Sequence, residues 1–306
     1  MVNNETRIML EEEISLRLHN LNRKFEIENA IHKVLLGKLL AKLNQGSLTS
    51  LHEAEFRVFS QFGDDGIIQY LISQLLIEDC RFIEFGVENY NESNTRFLLE
   101  NNNWQGLVID GSDENVQYIK STQNYWRHDL TALCGFVTKQ NINQTISEAG
   151  FSGNIGLLHI DIDGNDYWIW KAITVVRPTI IIMEYNSLFG IERSITIPYK
   201  PDFSRFAEHY SGLYAGCSLL ALCELAVEKG YEFVGCNSAG NNAYFVRKDQ
   251  LGSLKALSCK EGYVLAKFRE HRDEKGLLTF TSGLEAVECL RGMPVFNTRS
   301  QQIEAF

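Results

Sequence analysis

Hydrophobic and polar positions change their period twice along the chain. Over residues 8–44 apolar side chains recur at helical spacing. Ile14, Leu18, Leu21, Phe25 and Leu35 fall near a heptad seam, and Ile31 and Leu39 lie close by. Glu11, Glu12, Glu13, Arg17, Lys24 and Glu28 stand between them, and no proline interrupts the run. Gly46 with Ser47 and Ser50 supplies the stop. So many apolar residues exceed what a solvated helix needs, so this segment is expected to pack on something. The occupant is either a second copy, giving a homo-oligomer through the N-terminal helix, or the chain's own catalytic domain.

From Phe56 onward short apolar runs alternate with helical stretches. Residues 82–85 read as a first strand, 96–102 as a helix and 106–110 as a second strand. A helix near 114–120 leads to a short third strand ending at His128-Asp129. A helix around 142–149 then leads to a strand at 155–160, and one at 167–174 to a strand at 179–183. Apolar strands separated by helices predict a parallel sheet covered on both faces. The rhythm then breaks. A helix at 218–229 stops at Gly230, and two strands, 231–236 and 243–247, flank a Gly/Asn-rich turn. So short a connection makes them antiparallel. The expected architecture is α/β: a Rossmann-like, seven-stranded, mostly parallel sheet closed by an antiparallel hairpin, the element order of a class I methyltransferase. Residues 1–48 form a helical extension and 52–250 the main domain; 251–306, where apolar and polar residues still alternate over 263–268 and 277–280, form a C-terminal extension packed on it and expected to help cover the active site.

Charge and cysteine usage narrow the setting. The chain has 29 basic and 39 acidic residues, and a formal charge of −10 argues against a nucleic-acid partner. No apolar run approaches the ~20 residues that span a bilayer. The first residues lack a basic stretch followed by an apolar one, so no secretory signal is expected. Seven scattered cysteines without a Cys-x-x-Cys pair point to a reduced cytoplasm rather than a zinc ribbon or disulfide scaffold.

Ligands of open α/β sheets sit beyond the carboxyl ends of the strands. The first strand ends in Glu84-Phe-Gly-Val-Glu-Asn-Tyr-Asn-Glu-Ser-Asn-Thr95. Gly86 lets a cofactor come close to the backbone, and Glu84 can pair with an ammonium group. A dinucleotide site would use Gly-x-Gly-x-x-Gly, but Glu88 and Asn91 hold the other positions. Acids beside the turn suit the cationic sulfonium and amino acid of S-adenosylmethionine; a plain strand-to-helix turn is the alternative. Asp110, ending the second strand, can accept both hydroxyls of a ribose, which fits NAD equally well. Asp129 can accept from an adenine amino group or cap the next helix.

Taken together, several motifs resemble the FkbM-type class I methyltransferases. They are Ser60-Gln-Phe-Gly-Asp-Asp-Gly-Ile67, the 84–95 loop, His159-Ile-Asp-Ile-Asp-Gly-Asn-Asp166, Glu184-Tyr-Asn186 and Lys229-Gly-Tyr-Glu-Phe-Val-Gly235. The resemblance covers roughly residues 55–250. It implies S-adenosylmethionine as co-substrate and, commonly, O-methylation of sugars or other surface-polysaccharide (capsule) components. It also implies that Glu84 and Gly86 contact the methionine part, Asp110 the ribose and Asp129 the adenine. Gln61 and Asp65 would close over the cofactor from the preceding helix. Many relatives read Gly-Ala-Asn-x-Gly in the first loop, where this chain has Gly86-Val-Glu-Asn-Tyr-Asn91.

His159, Asp161 and Asp163 alternate along the fourth strand and so share a face, as do Glu184 and Asn186 after the fifth. Asp161, Asp163, Glu184 and Asn186 are therefore candidate ligands for a hard cation such as Mg2+, which would lower the pKa of an acceptor hydroxyl. The acidic run is not an EF-hand, since its glycine falls fourth and Ala172 takes the twelfth position. Otherwise Asp161 and Asp163 shape the loop while Glu184 binds substrate without metal. His159 and His209 are candidate proton acceptors, or structural histidines. Tyr167, Trp168 and Trp170 could stack on a sugar ring or fill the core, and 195–203 is an acceptor loop or a plain connection. The first acceptor is a sugar hydroxyl, free or nucleotide-linked. A phosphoryl or phosphoramidate oxygen comes second and would need no base. Three other readings stay open: a nicotinamide oxidoreductase, a metal hydrolase built on His159, Asp161, Asp163 and Glu184, and a non-catalytic binding module.

Overall fold

The computed structural model describes residues 4–44, 46 and 48–306, with side chains omitted for 4–10, 23 and 26. Ser47, one of the expected stop residues, lies outside them. A 40-residue helix, α1 (Asn4–Leu43), leads into α2 (Asp64–Gln74). There follow β1 (Arg81–Phe85), α3 (Arg96–Asn102), β2 (Gln105–Asp110), α4 (Asp113–Ser121), α5 (Gln123–Arg127) and β3 (Leu130–Cys134). Next come α6 (Ile142–Glu148), β4 (Gly153–Ile160), α7 (Asp166–Ala172) and β5 (Val176–Glu184). β6 (Ile195–Thr196) and α8 (Arg205–Glu208) precede α9 (Leu219–Lys229), β7 (Tyr231–Cys236) and β8 (Asn242–Arg247). The chain closes with α10 (Cys259–Gly262), α11 (Gly283–Cys289), β9 (Pro294–Asn297) and β10 (Gln302–Ala305).

Seven strands form one sheet in the order β3-β2-β1-β4-β5-β8-β7. All are parallel except β8, which runs antiparallel between β5 and β7. The central runs Phe82-Ile83, Leu107-Val108-Ile109, Leu157-Leu158 and Ile180 to Met183 are buried, because helices cover both faces. One core holds Ile83, Ile109, Leu158 and Trp170; the other holds Phe82, Val108, Leu157 and Tyr244. Tyr167 and Trp170 are core residues and cannot stack on a ligand. α9 starts with the Ser218 hydroxyl accepting the Ala221 amide and stops at Gly230 in the left-handed region, φ 82°.

The third strand corrects the sequence reading. β3 begins after Asp129 instead of ending there, and Gly106 N–H donates to the Asp129 carbonyl at the amino end of the sheet. β3 is an edge strand whose buried residues, Leu130 and Ala132, alternate with more exposed ones, so it lacks the solid apolar run of its neighbours.

The last residues belong to the fold. β9 pairs with both β6 and β10 in a second, three-stranded antiparallel sheet. Tyr185 OH donates to the Val264 carbonyl at 2.6 Å, and Tyr263 OH to the Ser187 carbonyl at 2.7 Å. The first part of the expected acceptor loop is structural: Ile195 and Thr196 form β6, and Trp168 Nε1 donates to the Ile197 carbonyl. At the other end of the chain α1 docks through Ala30, Val34 and Gly37 on Phe56, Val58 and Phe97. Among the described residues no helix is long and apolar enough to cross a membrane.

Candidate active site at the carboxyl ends of the strands

A cleft of about 700 Å3 opens over the carboxyl ends of β1, β2, β4 and β5. Its floor is the turn after β1. Gly86 has φ +73°, and a Cβ there would sit 1.7 Å from the Asp161 carbonyl oxygen, so only glycine fits. Its N–H donates to the Ile109 carbonyl, drawing the turn toward β2. Glu88 and Tyr90 continue the turn with positive φ, which points the Glu88 amide at Asp110. Asp110 Oδ2 accepts that amide at 2.8 Å, and its Oδ1 accepts Ser112 N–H at 2.9 Å and Asn115 Nδ2 at 3.1 Å. A carboxylate offers about four acceptor positions, so one remains on Asp110.

Glu84 is buried and differently employed. Its oxygens accept from Asn94 N–H, Thr95 N–H, the Ser93 and Thr95 hydroxyls and His159 Nδ1. Although burial raises the pKa of Glu84, the His159 contact and the hydroxyls bring it below the usual carboxylate range. Burial lowers the pKa of His159, yet Glu84 outweighs it and leaves that histidine raised. Nε2 of His159 lies 3.2 Å from the Asn94 side-chain amide, so neither ring nitrogen is free to take a proton from an acceptor. Glu84 and His159 thus fix the 93–95 loop, and the expected ammonium contact and base role give way to a positioning one. The raised histidine stabilises below its folded pKa, and the lowered glutamate above its own. Thermal melting across pH is therefore expected to show this pair's contribution in full between the ordinary values, 4.5 for the glutamate and 6.5 for the histidine. It fades on acidification from 4.5 down through the lowered pKa of Glu84, and on alkalisation from 6.5 up through the raised pKa of His159.

Carboxylate oxygens of Asp161, Asp166 and Glu184 lie within 4.8 Å of one another. Burial pushes Asp161 up to about 6 against the pull of His159, with Asp163 and Glu84 adding repulsion; burial and then repulsion by Asp161 push Asp166 up to about 7 and hold Glu184 well above its ordinary value. Asp161 and Glu184 thus stand as a close carboxyl pair. Asp166 also accepts Ile162 N–H and Gly164 N–H, both at 2.9 Å. Two members of the expected metal set are engaged otherwise. Asp163, at φ 56°, stays on the cleft lining but is drawn into an ion pair with Arg205 at 2.9 Å. Asn186 donates to the Leu213 and Ala215 carbonyls and accepts Leu188 N–H, which spends its side chain on the backbone. β4 ends at Ile160, so alternation no longer holds at Asp163, and Asp166 enters from the first turn of α7.

Other candidates stand back from the cleft. Asp65 Oδ2 accepts the amides of Val58, Phe59 and Ser60 and the Ser60 hydroxyl; it holds the loop whose Gln61 and Phe62 line the cleft. Asp129 is at the opposite end of the sheet, and the cleft past β3 is lined by Gly135, Phe136 and Val137. His209 does not line it, and its Nδ1 contacts the Ser211 hydroxyl at 2.7 Å. Pro201 and Phe203, from the expected acceptor loop, do line it. Reading the sequence missed Asp166 and Arg205 as site residues, while the C-terminal extension does help to cover the cleft, through Phe268, Arg269, Glu270, Leu278 and Phe280. Asp166 carried a signal in its place in the acidic run, and Phe268, at the end of the alternating run 263–268, stacks on Phe62 at 5.2 Å.

A seven-stranded sheet of this order, with one antiparallel strand between the fifth and the last, is the Rossmann-like methyltransferase fold. No protein-family model and no curated protein matches the chain. Among solved structures it is similar to an O-methyltransferase from Bacillus cereus in complex with SAH, at 15% identity over 71% of this chain and 88% of that one, TM-score 0.41. It is also similar to a putative caffeoyl-CoA O-methyltransferase from Staphylococcus aureus, at 14% identity over 74% and 99% of the two chains, TM-score 0.39. A third is the N-terminal domain of EvdMO1 with SAH bound, at 12% identity over 54% and 72%, TM-score 0.35.

Proposed function

We propose that the cleft binds S-adenosylmethionine and that the chain transfers its methyl group to an oxygen of a small polyhydroxylated acceptor. The observation that carries this reading is Asp110. It is held by three hydrogen bonds at the end of β2, has one acceptor position left for a ribose hydroxyl, and adjoins the close-approach turn at Gly86. Phe136, 72% exposed after β3, offers an adenine a face to stack on. Glu88 and Glu92 rim the turn where a dinucleotide would place its pyrophosphate, which disfavours NAD.

Methyl transfer is a direct displacement. An acceptor lone pair forms the new O–C bond while the S–C bond breaks and the sulfonium becomes a neutral thioether. The chain's own work is alignment, water exclusion and removal of the hydroxyl proton. Asp161 and Glu184, a close carboxyl pair, are the groups placed to accept that proton. Arg205 is spent on Asp163 and Glu270, which argues against a phosphoryl acceptor and favours hydroxyls facing carboxylates. A sugar, free or nucleotide-linked, as used for surface polysaccharide, fits that chemistry. The carboxylates of Asp161, Asp166 and Glu184 also fit a divalent cation, with the Asp166 oxygens already engaged; when bound it would lower the acceptor's pKa.

Calorimetric titration tests the reading. S-adenosylmethionine and S-adenosylhomocysteine are expected to bind and NAD not to. Asp110→Asn should weaken S-adenosylhomocysteine at least about tenfold, the loss of one charge-assisted hydrogen bond. Binding of NAD alone, or of neither class, overturns it. Turnover that survives EDTA unchanged removes the metal and leaves the carboxyl pair.

A further inference from the structure

We propose that α1 pairs antiparallel with α1 of a second copy of this chain, through the face opposite the one it docks on its own domain. The docked face is Ile27, Ala30, Val34, Gly37, Ala41 and Asn44, which are buried or half-buried. At 3.6 residues per turn a second apolar stripe runs about 160° away, through positions 14, 18, 21, 25, 32, 36, 39 and 43. Seven of these eight are large and apolar, and they stand 54–71% exposed, His32 being the exception. Leucines and a phenylalanine that open are not those of a finished surface.

The stripe specifies its own partner. Its intervals read 4-3-4-7-4-3-4, the same from either end. Turned about an axis between Glu28 and Asn29, the helix places Ile14 on the partner's Leu43, Leu18 on the partner's Leu39 and Leu21 on the partner's Leu36. The polar residues 28, 29 and 32 then gather at the centre, and a slip by two turns would push Glu28 against the partner's Leu36. Charge selects the same direction. Glu11, Glu12 and Glu13 lie near one end, while residues 33–43 carry Lys33, Lys38 and Lys42 and no acid. Antiparallel pairing brings the glutamates within a turn of the partner's Lys42, whereas a parallel pair would set acids on acids. Since each domain docks on the far side of its helix, the two domains lie outside the pair and do not collide. A helix lying on a membrane would instead show one apolar face and a basic polar one, with no block of glutamates at its head.

Sedimentation of the full chain at tens of micromolar is expected to give twice the chain mass. Leu18→Glu with Leu39→Glu should give the single-chain mass, with S-adenosylhomocysteine affinity and thermal midpoint unchanged within error, since neither residue touches the domain core. Orientation is read by oxidative cross-linking, with the parent as control for native cysteines. Ile14→Cys with Leu43→Cys should cross-link between copies and Ile14→Cys alone should not. A monomeric parent, a dimer that persists in the double glutamate variant, or cross-linking by Ile14→Cys alone each overturns the proposal. So does a monomer that floats with anionic vesicles, which assigns the stripe to lipid.

Discussion

A Gly86→Ala variant is expected to lose S-adenosylhomocysteine affinity by more than about tenfold and to unfold well below the parent. Two costs meet at this position. A left-handed φ of +73° strains any L residue, and the new methyl would stand 1.7 Å from the Asp161 carbonyl oxygen. Backbone strain contributes roughly 1–3 kcal/mol and overpacking a similar amount, so about 2–6 kcal/mol of stability is at stake. Gly153→Ala separates the two: it has φ +69° but nothing within 4 Å of its Cβ, and it should lose only the strain and keep its affinity. Equal losses in both variants, read by denaturation and calorimetry, would show that the approach of the first turn to Asp161 has no part in binding.

Asp161→Asn is expected to lower kcat about a hundredfold or more while raising the melting temperature. Burial and neighbouring carboxylates lift Asp161 to about 6, so the folded chain carries that ionised group at a cost above this pH. The sign follows from linkage: a raised folded pKa stabilises at low pH, and the benefit fades as pH climbs from near 4 through about 6. An amide removes the charge and the slope with it. The difference between variant and parent should therefore be small near pH 4 and grow to about 2–6 °C by pH 8. A site residue that costs stability fits a group kept for chemistry. Should the variant turn over within about threefold of the parent, the carboxyl pair takes no part in the transfer.

Strands buried on both faces announced themselves as solid apolar runs, and the Gly/Asn turn between β7 and β8 announced their direction. β3 did not, because an edge strand alternates and its polar preface at His128-Asp129 passed for its end. The site was legible where a residue ends a strand. Glu84, Asp110, Asp161 and Glu184 all line the cleft. It was illegible one step further on, where geometry leaves the strand: Asp163 and Asn186 were placed by extending an alternation that stops at Ile160 and Glu184. Nor can a sequence show how much of a carboxylate is already spent. Five donors occupy Glu84, and four converge on Asp65. The C-terminal wall showed in the sequence only as alternation at 263–268 and 277–280, which does not say what holds it in place. Tyr185, Ser187 and Tyr263 do so one hydrogen bond at a time.

The cleft is ringed by Glu84, Glu88, Glu92, Asp110, Asp161, Asp163, Glu184 and Glu270, against only Arg205, Arg269 and His159 as opposing charges. Such a ring would tell a sulfonium from a thioether. On the function proposed above, the methyl donor would arrive as a cation and leave, one carbon lighter, without that charge, so the attraction that gathers it would lapse with the transfer itself. Added salt would then weaken the donor more than its spent form, and the resulting bias against product inhibition belongs to the walls of the cleft and not to any residue that touches the sulfur.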